Sequence, residues 1–115
     1  MNPNEKKLLE AILDGQLYLV GEYRAGIATK REFVDKVDGK SKGKVSVRHL
    51  IELAGTAGID SVTLFQGVPE NVTDPASIKL EWVKGKRYAF PLVTLGREKG
   101  KVSGLLDTNR EVIPL

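Results

Sequence analysis

The side chains best equipped for chemistry in this chain are cations set beside aromatic rings. Tyr23 is followed by Arg24, Lys30 and Arg31 lead to Phe33, and Lys84, Lys86 and Arg87 run into Tyr88. Single-stranded nucleic acid is held by such combinations: cations follow the phosphates, and each ring on which a base stacks contributes about 1–3 kcal/mol. Tyr23 and Tyr88 are the first candidates for stacking and Phe33 the third. Lys40, Lys42 and Lys44 alternate with Ser41 and Gly43, small residues that let the backbone approach a ligand closely. That arrangement suits contact with phosphates irrespective of sequence better than readout of base edges. Arg48, Lys99 and Lys101 complete the candidate binding set. The other large rings, Phe65, Trp82 and Phe90, are assigned to the interior, which a small domain must fill.

The charge is unevenly distributed along the chain. The formal net charge is +3 over 115 residues, yet residues 24–48 carry eight basic side chains against three acidic ones, and residues 84–101 carry six against one. Each window has a balance of +5, and the remainder of the chain is at −7. Two basic windows that meet in space would form a cationic stripe suited to a phosphate backbone.

Other chemistries lack their residues. With no cysteine and one histidine, His49, thiol catalysis, iron–sulfur sites and zinc fingers are excluded. Residues 39–44 read Gly-Lys-Ser-Lys-Gly-Lys, which has the wrong spacing for a phosphate-binding loop and precedes a strand instead of a helix. The carboxylates are spread through turns and outward strand positions beside Lys or Arg, so they do not converge for acid–base work. The expectation is a protein that is not an enzyme and uses neither cofactor nor metal. No apolar run reaches the ~18–20 residues a membrane span requires, and no apolar stretch follows the N-terminal charges. A cytoplasmic protein that does not enter membranes is therefore expected.

The elements that must position these residues follow from periodicity. Asn4 is read as an N-cap, with Leu8, Leu9, Ile12 and Leu13 at helical spacing and Gly15 as the stop, which predicts a helix within 4–14. Beyond it the period becomes 2. Strands are predicted at 16–27, 30–37, 45–53 and 61–65, then at 78–83, 87–95 and 102–106, with the apolar tail 111–115 able to add another. Residues 54–58 read as a small-residue turn and 75–78 as a turn of helix. Along 45–53, Val45, Val47, His49, Ile51 and Leu53 share one face, so His49 reads as a buried, satisfied histidine. Pro91 removes a ladder donor and belongs at an edge or a bulge. One domain over 1–115 is predicted, an all-β, five- to six-stranded barrel with a short N-terminal helix: first an oligonucleotide/oligosaccharide-binding (OB-like) barrel, second an SH3-like one.

The text Arg-Glu-Phe-Val-Asp-Lys-Val-Asp-Gly-Lys at 31–40, a strand ending in an Asp-Lys-x-x-Gly-Lys turn, together with the hairpin text at 84–92, resembles the small single-stranded-DNA-binding proteins of phage type, which are OB-fold barrels. The similarity covers about a fifth of the chain. It implies cooperative, largely sequence-independent coating of single strands and assembly as a homodimer or larger oligomer; single-stranded DNA is the favoured partner, and the residues leave RNA as the other possibility. The N-terminal helix is additional to that pattern, and the sequence has no acidic tail through which bacterial relatives recruit partners. A second reading, from a different class, is a small barrel that binds a protein through an open strand edge or through the apolar residues Val112, Ile113, Pro114 and Leu115.

Overall fold

A computed structural model describes residues 1–53 and 61–115, apart from the side chains of Phe33, Ser41, Lys42 and Glu98. The turn expected at 54–58 lies outside the described residues. The chain forms helix α1 (Pro3–Leu13), strands β1 (Tyr18–Val34), β2 (Ser41–Glu52) and β3 (Ser61–Gln66), a 3-10 turn (Pro75–Ser77), and strands β4 (Arg87–Glu98), β5 (Lys101–Leu106) and β6 (Ile113–Pro114). The N-cap of α1 is Asn2 and not Asn4: its side chain accepts from Glu5 N, and Pro3, with its fixed φ, starts the helix.

Five strands close into a ring in the order β1-β2-β3-β5-β4, with β4 returning to β1 and β6 added outside β4. All the ring pairings are antiparallel except β3 with β5, where Thr63 to Phe65 run parallel to Ser103 to Leu105. The expected small OB-like barrel with an N-terminal helix is what the chain forms.

Two strands expected as separate, 16–27 and 30–37, are one continuous β1, because Ala28 and Thr29 keep pairing with Val47 and Ser46. The strand expected at 78–83 does not exist. Both edges of the first half of β4 are taken, Arg87 to Pro91 by β1 and Tyr88 and Ala89 by β6, so no edge remains for a hairpin partner. Pro91 sits at the end of the β1 pairing and beside the register shift between Leu92 and Thr94, where its missing donor costs nothing.

The core is made by Tyr23, Ile51, Val62, Leu64, Tyr88, Phe90, Leu92 and Leu106, with Leu19, Trp82, Val102 and Val112 packed on it. At Gly21 two strands approach closely: a Cβ there would lie 2.5 Å from Ile51 Cγ2 and 2.8 Å from the Glu52 carbonyl oxygen. This is where β1 leaves β4 for β2, and only a residue without a side chain lets the two strands converge. Past this point β4 no longer accompanies β1, and β3 accompanies β2 only between Val47 and Glu52. The β1–β2 ribbon beyond the barrel accounts for the long axis of the molecule, 55 Å against 30 and 27 Å.

Candidate nucleic-acid interface

One irregularity decides which side chains face solvent together. The β1–β2 register shifts between Tyr23 and Ala25, so Arg24 is a bulged residue with no partner on β2. Before the bulge the odd-numbered Gly21 and Tyr23 point into the barrel; after it Gly26 and Ala28, opposite His49 and Val47, take the inward positions. An extra residue reverses the alternation. Ile27, Thr29 and Arg31 consequently point outward, paired with Arg48, Ser46 and Lys44 of β2. Arg24 itself is held by two carboxylates, through its Nη2 to Glu22 at 2.8 Å and through its Nε to Glu52. The Glu52 hydrogen bond and the charge of Glu22 both hold its pKa above the ordinary arginine value.

Arg31, Lys44 and Arg48 line one groove of about 440 Å³ with Thr29, Phe65 and Leu105. Phe65 is directly opposite Arg48 across the β2–β3 ladder and opposite Leu105 across β3–β5. Phe65 is 41% exposed. Beside the groove, and sharing Arg48, lies an open apolar hollow formed by Ile27, Leu50 and Thr63. Among the described residues, the outward face of β1-β2-β3 therefore carries the cations Arg31, Lys44 and Arg48, the accessible ring of Phe65 and an aliphatic patch side by side.

The structure assigns the predicted residues differently from the sequence. Tyr23 and Tyr88 are 3% and 7% exposed and belong to the core, so neither ring offers a face for stacking. Each hydroxyl is engaged, Tyr23 Oη with His49 Nδ1 and Tyr88 Oη accepting from Val83 N. Burial raises the pKa of Tyr23, with the neighbouring Tyr88 adding to the effect, so its proton stays on. Conversely Phe65, assigned to the core, is outside, while Phe90 is inside and Trp82 half-buried. The signal was present: Val62 and Leu64 alternate with Thr63 and Phe65, and the alternation sends Phe65 outward. Arg24 is committed to Glu22 and Glu52 and is not a free phosphate ligand.

The basic windows meet only in part. Lys30 has the opposite parity to Arg31, and its aliphatic stem lies across Gly43. Lys40 follows the turn in which Asp38 accepts from its backbone N–H. Phe33 and Lys42 face each other in the β1–β2 register, and their side chains lie outside the described residues. Lys84 and Lys86 flank the turn at the start of β4, where Gly85 N donates to the Tyr23 carbonyl and Tyr23 N to that of Lys86. Arg87 borders Glu22 and Glu52 on one side and α1 on the other. Lys99 and Lys101 sit at the tip of the β4–β5 hairpin. Of these, the described side chains do not line the groove that holds Arg31, Lys44 and Arg48.

His49 anchors the floor of this face from inside. Its Nε2 lies 2.8 Å from Gln66 Oε1, an atom that can only accept, so the neutral ring carries its proton on Nε2. Nδ1 then accepts from Tyr23 Oη at 3.0 Å. A Cβ on Gly26 would collide with that hydroxyl, which explains the glycine opposite His49. Burial holds the imidazole below its ordinary pKa of 6.5, outweighing the opposite effect of the Gln66 bond. Lys79, Glu81, Asp107 and Arg110 are the charged groups around the same cavity. Because the unfolded chain binds the His49 proton more readily, stability is complete above pH 6.5 and falls as the pH drops through that value. Asp107, held below its ordinary 3.8 by Arg110 first and the Asn109 amide second, loses its contribution only in a lower window. The melting temperature is therefore expected to decline between pH 7.5 and 5.5, and His49→Gln to flatten the decline. A wild-type profile flat across that range would contradict a buried neutral imidazole.

Among the described residues no three His, Asp or Glu side chains are grouped to hold a metal ion, and no helix is long and apolar enough to cross a membrane. Comparison of the sequence and the fold with known proteins found no matching family model, no matching curated protein and no matching solved structure.

Proposed function

We propose that this chain is a non-enzymatic single-stranded-nucleic-acid-binding protein of the cytoplasm, DNA being favoured over RNA, that coats exposed strands during replication or recombination. The observation that carries this reading is the convergence of Arg31, Lys44 and Arg48 with the exposed ring of Phe65 on the outward β1-β2-β3 face. Closed barrels of this strand order use the face of their second and third strands and the adjoining hairpin loops to bind oligonucleotides and oligosaccharides. The three cations favour the anionic ligand of the two, and among the described residues that line the groove there is no carboxylate to oppose it.

The test is fluorescence anisotropy of labelled oligo-dT, oligo-rU and a matched duplex, at about 50 and 300 mM salt. Single strands are expected to bind at low salt, to weaken strongly at high salt, and to be preferred over duplex. Phe65→Ala should weaken oligo-dT binding by about tenfold, within the range expected of one stacked base. Because the ring is outside the core, the melting temperature should stay close to that of the wild type. Absence of binding at low salt would remove the reading.

A protein-docking role for the apolar C-terminus has less support. Ile113 is buried and Val112 packs on the core, and Ile113 and Pro114 form β6 against Ala89 and Tyr88, so most of that tail is already used within the molecule.

A further inference from the structure

A second cavity opens at the end of the barrel, and it adjoins the groove. It encloses about 310 Å³ and is lined by His49, Trp82, Leu106 and Val112 among others. Gln66, the last residue of β3, lines both the groove and this cavity, while Leu105 and Leu106 of β5 face one each. A strand lying along the groove thus passes the mouth of the pocket at Gln66.

The pocket is equipped for a flat, hydrogen-bonding ring. Trp82 rests on an aromatic support, His49 at 4.6 Å, Phe90 at 5.1 Å and Tyr23 at 5.7 Å between ring centroids, the last two edge-on. Its remaining surface borders the cavity. The chain from Tyr23 Oη through His49 to Gln66 Oε1 fixes the Gln66 amide, leaving its NH₂ group to donate elsewhere. Among the described residues neither Gln66 Nε2 nor Trp82 Nε1 has a hydrogen-bond partner. The volume lies at the small end of the ~300–1,000 Å³ usual for ligand sites, enough for one heterocycle and not for several.

We propose that this barrel-end pocket takes a single nucleobase of the bound strand, its face against Trp82 and a carbonyl oxygen of its edge accepting from Gln66 Nε2. Thymine and uracil, with two such oxygens, fit the donor best. The proposal rests on the groove being a nucleic-acid site, and the experiment separates the two.

Trp82 is the sole tryptophan, so its emission reports on the pocket while anisotropy reports on binding. Both are followed as the protein is titrated with oligo-dT and with an abasic sugar–phosphate strand of equal length. Both strands should bind, the abasic one more weakly, but only oligo-dT should quench Trp82. Gln66→Leu, checked by circular dichroism for an intact fold, should lower oligo-dT affinity about fivefold, the usual effect of one lost hydrogen bond, and lower that of the abasic strand by clearly less. If oligo-dT binds yet leaves Trp82 emission as the abasic strand does, or if the variant binds oligo-dT as tightly as the wild type, the pocket is not occupied by a base and the groove reading stands. If neither strand binds at low salt, the groove reading fails and the pocket proposal with it.

Discussion

Gly21→Ala is expected to destabilise the barrel by about 3 kcal/mol, at the upper end of the range for an added methyl in a packed interior. For a domain of this size that corresponds to a melting temperature lower by roughly 15 °C. The magnitude follows from what the methyl would meet. Ile51 Cγ2 at 2.5 Å belongs to one of the most buried residues in the core, and the Glu52 carbonyl at 2.8 Å is main chain, paired across the ladder at Glu22. Neither can retreat without opening the seam at which β1 passes from β4 to β2, the point that closes the ring. Gly96, beside which a Cβ would meet nothing within 4 Å, supplies the control: Gly96→Ala on the outer part of β4 should leave the melting temperature within a few degrees of wild type. Thermal unfolding followed by circular dichroism gives both values. A Gly21→Ala protein as stable as the control would show that the strands can separate there at little cost, against the close packing of Gly21 on Ile51 and Glu52.

The same seam explains what the sequence could and could not convey. The alternation of Val45, Val47, His49 and Ile51 places β2 correctly, and His49 is the satisfied interior histidine that its apolar row implies. The all-β class follows from the turn spacing, and the N-terminal helix from its apolar stripe. The faces of β1 beyond residue 23 do not follow, because a single bulged residue reverses the alternation and nothing in the text Tyr-Arg-Ala-Gly marks Arg24 as unpaired. Adjacency in sequence was also misleading for the rings. Tyr23 and Tyr88 stand next to basic residues, but in a strand the neighbour of an outward cation points inward, so the pairing of ring and charge along the chain is what separates them in space. The useful pairs run across strands, Arg48 with Phe65 and Arg31 with Lys44, and those depend on register, which local text does not encode.

Replacing Arg31, Lys44 and Arg48 together with alanine is expected to abolish most binding of single strands, by about a hundredfold or more at low salt, and to reduce the slope of log affinity against log salt by about two, since each phosphate contact on a single strand contributes roughly 0.7. The side chains are exposed, and none supports the core, so the fold should persist. The decisive comparison is a second triple variant, Lys84, Lys86 and Lys99 to alanine, which removes the same charge from positions that do not line the groove. If affinity follows the geometry of the β1-β2-β3 face, the second variant keeps nearly the full slope. If both variants lose affinity equally, the protein attracts nucleic acid through its overall charge, and the bulge at Arg24 has no part in building a site. The bulge gives the first outcome its physical basis: by turning Arg31 to the side of Lys44 and Arg48, it converts a basic stretch of sequence into three cations on one surface, close enough to follow a single phosphate backbone past the ring of Phe65.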